Sequence, residues 1–350
     1  MKHRRAPTFC VWEITLACNA ACVHCGSRAG KARTGELDGA EALALCDAIA
    51  GLGVRRVTLS GGEPLVRDDW QDIAGRLIAG GVEVDLISNG IALDGRAARA
   101  AASMGLRGVT LSIDGTESVH DELRGREGGF RLAMQAAALL RGEGVPVGAV
   151  TQVNTRNAGL LPDIRGALED AGFMGWQLQL TMPIGRCEGG GGLVVDPSAV
   201  PSIIDLIAAF SRRGRMQVYA ADNIGWMLRS EPLIRDYAEP SRRFYQGCHA
   251  GLALIGITSD GNVRGCLSLP PAFDEASVRR RDLADIWKDE SLFSYNRRFD
   301  ENRLTGPCRS CAFRRVCRAG CTCLAWSSTG TVTENPYCAR LHRPDGEGGS

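Results

Sequence analysis

The chain carries almost no excess of charge of either sign: 41 lysines and arginines stand against 40 aspartates and glutamates, a net charge of +1. No bulk field argues for nucleic acid or a membrane surface as partner, so partners have to be read from sites. A run of about 18 apolar residues, the least that spans a bilayer, is also missing. The basic amino terminus, MKHRRAPTFCVWEITLAC, lacks the long apolar core of a signal peptide, and the expected compartment is the cytoplasm. There is no internal repeat beyond a strand and helix alternation. Low complexity is confined to the tail from Gly346 to Ser350, which reads as disordered. What is present, 350 residues with 44% hydrophobic content, suffices for one large domain, or a large one with a smaller companion.

Cysteine is plentiful. Fourteen cysteines in a chain without an export signal would meet a reducing compartment, where disulfides are rare and metal or redox use is expected. Eight of them follow residue 187, which separates a cysteine-dense region from the rest.

From Phe9 to about Pro183, short apolar runs alternate with helical stretches. Strands are predicted at Phe9 to Thr15, Arg56 to Ser60, Val82 to Ser88, Gly108 to Ile113, Val147 to Val153 and Trp176 to Met182. Helices are predicted at Gly39 to Leu52, Trp70 to Ala79, Arg96 to Met104, Phe130 to Arg141 and Leu160 to Ala171. Six such units predict an α/β fold, a partial (β/α)6 TIM-like barrel over residues 1–188. Residues 189–245 read as a bridge, opening on the glycines Gly189 to Gly192 and continuing in a helix from Ser198 to Arg212. A cysteine-rich domain fills 246–345. Asp222 and Asn223, before an expected helix, read as its cap or as pointing into the active site.

Directly after the first strand stands Cys18-Asn-Ala-Ala-Cys22-Val-His-Cys25. Three thiolates on one loop can hold a [4Fe-4S] cluster and leave one iron open to another ligand. A zinc site short of one protein ligand is the alternative that spacing alone leaves open.

With Gly61-Gly62-Glu63-Pro64 after the second strand, this array resembles the radical S-adenosylmethionine (SAM) superfamily. The resemblance implies that Cys18, Cys22 and Cys25 bind the catalytic cluster and that Gly61 to Pro64 contact the methionine amino group. Glycines allow close backbone approach, and a carboxylate can pair with an ammonium. It further implies that Asn89, in Ser88-Asn89-Gly90, lies near the ribose, and that Ser112 and Arg124 hold the methionine carboxylate. Both strand ends fall on the face where barrels carry catalysis. A solvated helix-end charge is the other reading of Arg124. His24 occupies the position of an aromatic beside the adenine, or is an exposed loop histidine. In such enzymes SAM chelates the open iron, and one electron cleaves it to methionine and a 5′-deoxyadenosyl radical.

Downstream run Cys248-x12-Gly261-x4-Cys266, Cys308-x2-Cys311-x5-Cys317-x3-Cys321 and Cys338. Alone these could build a zinc ribbon. Behind the first motif they match the seven-cysteine signature of the SPASM domain, which holds auxiliary iron-sulfur clusters. By that resemblance Cys308, Cys311, Cys317 and Cys338 bind the distal cluster, and Cys248, Cys266 and Cys321 the inner one, for three [4Fe-4S] clusters in all. The inner site has three cysteines, so its fourth position is open or filled by Cys187, Cys323 or a substrate thiolate. Cys187 and Cys323 read otherwise as free thiols, and Cys10 and Cys46 as core.

The SPASM module was named for peptide maturation, so the expected activity is hydrogen abstraction from a ribosomally made peptide, leading to a crosslink, epimerisation or cleavage. The expected reductant is a flavodoxin or ferredoxin. About fifteen residues precede the first cysteine motif, so leader recognition is expected from another surface or a separate leader-binding protein. Leu267 after Cys266 disfavours a sulfatase-type maturase, whose members tend to carry an acidic residue there. Tetrapyrrole modification, electron transfer or redox sensing without catalysis, and a zinc-binding interaction module are the rival readings.

Overall fold

The computed structural model describes residues 6–189, 192–212, 214–235 and 244–343. Gly190 and Gly191 of the glycine run, and the tail from Gly346 to Ser350, lie outside the described residues. In chain order the principal elements are β1 (Phe9–Thr15), α1 (Gly39–Leu52), β2 (Arg56–Gly61), α2 (Trp70–Ala79), β3 (Glu83–Ser88), α3 (Gly95–Met104), β4 (Gly108–Ser112), α4 (Glu117–Arg124), α5 (Gly129–Gly142), β5 (Val147–Val153), α6 (Leu161–Asp170), β6 (Gly175–Leu180), α7 (Val200–Ser211), β7 (Gln217–Ala220) and α8 (Glu231–Ile234). They continue with β8 (Leu254–Ile257), β9 (Asn262–Arg264), β10 (Ala276–Ser277), α9 (Leu283–Lys288), α10 (Ser294–Arg297), α11 (Gly306–Arg309), α12 (Arg314–Cys317) and α13 (Thr322–Thr329). The six strand and helix repeats expected from the sequence are present, and the fold is α/β with mostly parallel strands.

Two compact units are formed. Unit 1 comprises residues 1–112, 124–147 and 249–298, and unit 2 residues 113–123, 148–248 and 299–350. In unit 1 the strand order is β10-β9-β8-β1-β2-β3-β4. Parallel pairing of β8 with β1, Cys10 opposite Ile255 and Trp12 opposite Ile257, extends this sheet with strands from late in the chain. Val57, Leu59, Val84, Leu86, Val109 and Leu111 alternate along β2 to β4 and are all buried, as period-2 apolar patterning requires. The first helix starts and stops by local chemistry. Asp38 accepts the Glu41 N–H at 2.8 Å while Glu41 accepts the Asp38 N–H at 3.0 Å, and Gly53, φ 82°, closes the helix. Cys10 and Cys46 are both 1% exposed, in agreement with their expected core placement.

In unit 2, β5, β6 and β7 pair in parallel. Trp176, Leu178 and Leu180 turn one face of β6 inward, and Trp176 Nε1 donates to Thr151 Oγ1 at 2.8 Å. The residues Gln177 and Gln179 between them are half-buried. Asn223 corrects its expected role as a cap. No helix begins there; its amide instead accepts the Leu180 N–H at 3.1 Å and donates to the Leu180 carbonyl at 2.9 Å, so it extends β6 hydrogen bonding through a side chain. Among the described residues no helix is long and apolar enough to cross a membrane.

Candidate active site and cysteine clusters

The first cysteine loop is anchored on both flanks. Glu36 accepts the Leu16 N–H at 2.7 Å and the Thr15 hydroxyl at 2.9 Å, and the Cys18 N–H donates to the Gly30 carbonyl at 3.0 Å. A register shift between Glu13 and Thr15 bends the end of β1 onto β2. There the Gly62 N–H meets the Thr15 carbonyl at 2.8 Å and the Glu63 N–H the Ala17 carbonyl at 2.8 Å. The contact leaves no room for side chains. A Cβ on Gly61, φ 155°, would strike the Thr15 carbonyl oxygen, and one on Gly62 would strike that of Ala17. The close approach expected of these glycines is therefore made to the cysteine loop itself. Pro64 then opens a single 3-10 turn, Pro64–Val66.

Each of the three thiols accepts an N–H. Cys18 Sγ accepts from the Ala20 backbone at 3.5 Å and from Asn89 Nδ2 at 3.9 Å, Cys25 Sγ from the Ala29 backbone at 3.3 Å, and Cys22 Sγ from Arg124 Nη1 at 3.7 Å. Such donors favour anionic sulfur and tune a bound cluster. In the metal-free chain burial pushes the Cys18 thiol up, with Glu63, Cys22 and Cys25 adding repulsion, so the carboxylate and the three sulfurs share one locality. Glu63 is wholly buried. It accepts the Ser88 hydroxyl at 2.8 Å, the Asn89 N–H at 2.7 Å and the Leu65 N–H at 3.2 Å, locking the end of β3 to that of β2. Burial raises its carboxyl to about 7, against the pull of those bonds and of Arg124.

Asn89 also donates to Asn19 Oδ1 at 2.7 Å, a partner the sequence did not single out. Arg124, at the end of α4, is oriented by its carbonyl, which accepts the Ala21 N–H at 3.1 Å; with its guanidinium on Cys22 it is not a merely solvated charge. Ser112 ends β4 and is buried. His24 is 2% exposed, which removes the exposed-loop alternative.

A buried polar network in unit 2 went unread in the sequence. The Asp114 carboxylate accepts the Gln152 N–H at 2.8 Å, its own N–H donates to His120 Nδ1 at 3.2 Å, and Asn157 Nδ2 donates to the Asp114 carbonyl at 2.8 Å. Asn154 and Asn157, three apart beyond β5, were the available signal.

The downstream cysteines divide between the units. Cys308, Cys311, Cys317 and Cys338 all lie in unit 2: Cys338 is pushed up to about 11 by burial and then by Cys308 and Cys311, and Cys317 is raised by burial and by Cys338, Cys308 and Cys311, so the four sulfurs share one locality. Four thiols in one locality suit a cationic, sulfur-loving group. Among the described residues no three His, Cys, Asp or Glu side chains converge on a single ion. Ligands of a multi-iron cluster bind different irons and stand further apart. Cys248 and Cys321 belong to unit 2 and Cys266 to unit 1. Cys187 and Cys323 are 1% and 3% exposed.

The radical SAM superfamily model matches residues 12–160, and the iron-sulfur cluster-binding SPASM model residues 248–312. The AdoMet-dependent heme synthase of Methanosarcina barkeri is 29% identical over 97% of this chain and 97% of its own. The mycofactocin maturase MftC of Mycobacterium tuberculosis is 30% identical over 96% of this chain and 84% of its own. Among solved structures, SuiB of Streptococcus suis bound to S-adenosylmethionine superposes with a TM-score of 0.74 at 15% identity, covering 95% of this chain and 76% of SuiB. With its cysteine loop, its buried glutamate and its later cysteine array in the order of that family, the chain belongs to the radical SAM superfamily of enzymes and carries a SPASM iron-sulfur domain.

Proposed function

We propose that this enzyme reductively cleaves SAM and uses the radical to abstract hydrogen from a ribosomally synthesised peptide. The observation that carries the first half is the loop of three thiols, each receiving an N–H, beside a carboxylate and a guanidinium. Cys18, Cys22 and Cys25 hold the cluster. When bound, cluster and SAM together supply the one-electron cleavage that yields methionine and a 5′-deoxyadenosyl radical. Glu63 has about four acceptor positions; three serve Ser88, Asn89 and Leu65, and the remaining capacity orients the SAM ammonium, with the carbonyls around Gly61, Gly62 and Pro64 in support. Arg124 has five donors, enough for Cys22 and the methionine carboxylate together, with Ser112 alongside. Asn89 faces the ribose and His24 the adenine.

Cys308, Cys311, Cys317 and Cys338 hold one auxiliary cluster, and Cys248, Cys266 and Cys321 another, which makes three with the SAM-binding one. A flavodoxin or ferredoxin supplies electrons in the cytoplasm, and a separate protein presents the leader. The similarity to a mycofactocin maturase supports the peptide class. A tetrapyrrole substrate is the second reading, favoured by the heme synthase of Methanosarcina barkeri, which this chain matches over 97% of both lengths.

The test is 5′-deoxyadenosine formation by the anaerobically reconstituted chain with SAM and a strong reductant, followed by substrate trials. Formation by the wild type and none by Cys18→Ala supports the radical assignment. Turnover of a peptide encoded beside the gene supports the first substrate class. Turnover of a haem precursor with those peptides ignored establishes the second.

A further inference from the structure

Tyr245 is 3% exposed, and among the described residues its hydroxyl has no hydrogen-bond partner. An orphaned buried hydroxyl costs on the order of 1–3 kcal/mol, so a group other than a neighbouring side chain is expected at its tip. The ring is tightly placed. Its centroid lies 6.0 Å from that of Trp226, and the Arg235 guanidinium sits 5.4 Å from it.

The neighbours of this ring in sequence and in space lead to cysteines. Tyr245 stands three residues before Cys248, and Gly247 between them, φ 87°, lies against the residues flanking Cys317. A Cβ there would come within 3.0 Å of the Val316 carbonyl oxygen and of Arg318 Cδ. The indole of Trp226 covers Gly320, next to Cys321, so closely that an added Cβ would stand 2.8 Å from the ring. Burial raises the phenol well above its ordinary value, and Cys248, Cys321, Asp222 and Cys317 add repulsion, so these groups share its locality. A phenol is protonated at neutral pH in any case, so the group available to those sulfurs is a donor.

We propose that Tyr245 donates its O–H to a sulfur of the auxiliary iron-sulfur cluster bound by Cys248 and Cys321, and thereby sets that cluster's reduction potential. The proposal rests on the ligand assignment made above. A hydrogen bond to cluster sulfur stabilises the more negative, reduced state and raises the potential.

The experiment is a redox titration of the full reconstituted chain followed by electron paramagnetic resonance, with iron content measured alongside. The signal that disappears in Cys248→Ala identifies the cluster. In Tyr245→Phe that signal is expected to keep its iron, to lose an exchangeable-proton coupling, and to titrate lower by a tenfold change in the equilibrium, about 59 mV for a one-electron couple. A 3-fluorotyrosine at 245, a stronger acid of nearly the same shape, is expected to move the midpoint the other way, which a packing role alone would not do. An unchanged midpoint and coupling in Tyr245→Phe overturns the proposal, as does loss of one cluster's iron, which would make the phenol a ligand. If Cys248→Ala loses neither iron nor signal, the ligand assignment itself is wrong, and the proposal falls with it for that separate reason.

Discussion

Two buried carboxylates show how a single residue can fix the chemistry around it. Glu63 has its carboxyl raised to about 7, well above the unfolded value of about 4.3. The folded chain therefore holds that proton more tightly than the unfolded one, so this group's contribution to stability falls as pH rises from about 4.3 and levels off above about 7, by about 4 kcal/mol in total. Urea unfolding of the metal-free chain should show the decline. Glu63→Gln should flatten it while lowering stability throughout, because an amide cannot accept from Ser88, Asn89 and Leu65 together. Glu231 contrasts with it: the side chain is wholly buried but paired with Arg235, whose Nε donates at 3.1 Å, and it accepts the N–H groups of Trp226 and Met227, residues with φ of 86° and 57°. Arg235→Met leaves that carboxylate without its cation, and a loss of about 3–5 kcal/mol in urea unfolding is expected.

Among the elements, the ends of β1, β2 and β3 carry the site. The shift in register at the end of β1 and the two glycines at the end of β2 bring three backbones together, and Glu63 ties in the third strand. Gly62→Ala puts a methyl group against the Ala17 and Leu16 carbonyls, so a destabilisation of about 1–3 kcal/mol is expected. SAM affinity should fall at least about tenfold by equilibrium dialysis, since any relief of the clash moves the cysteine loop. Alternating apolar residues made the strands legible, and β1, β5, α1 and α2 have the bounds the sequence predicts. Beyond α7 legibility ended, and β7, four residues long, was not among the predicted strands. Strands β8 to β10 have four, three and two residues, too few for a period to show, and they exist because β1 offers a parallel edge to β8.

For the whole molecule, the two cysteine arrays predict separable losses. Cys18→Ala should abolish 5′-deoxyadenosine formation. Cys308→Ala should shed one cluster's worth of iron, retain some uncoupled SAM cleavage, and lose product, as measured by iron assay and chromatography of the same reaction. Equal loss of cleavage in both would contradict the division of roles. Of the cysteines that stand as one set in the signature, Cys266 lies in unit 1 and Cys248 and Cys321 in unit 2.

The sequence by itself determined the family and the repeat, because cysteine spacing and apolar period are local properties that survive without a fold. Cys18, Cys22, Cys25, Glu63 and the later cysteines could all be named from it, as could the six strand and helix units. Only the tertiary structure decided what each polar group faces. Asn223 reads locally as a cap and instead serves β6, Glu63 is occupied by donors from β3, and Tyr245, with nothing in its local sequence to mark it, ends with a buried hydroxyl among thiols. Those assignments depend on burial and on partners distant in the chain, and neither burial nor distant partners can be read from spacing.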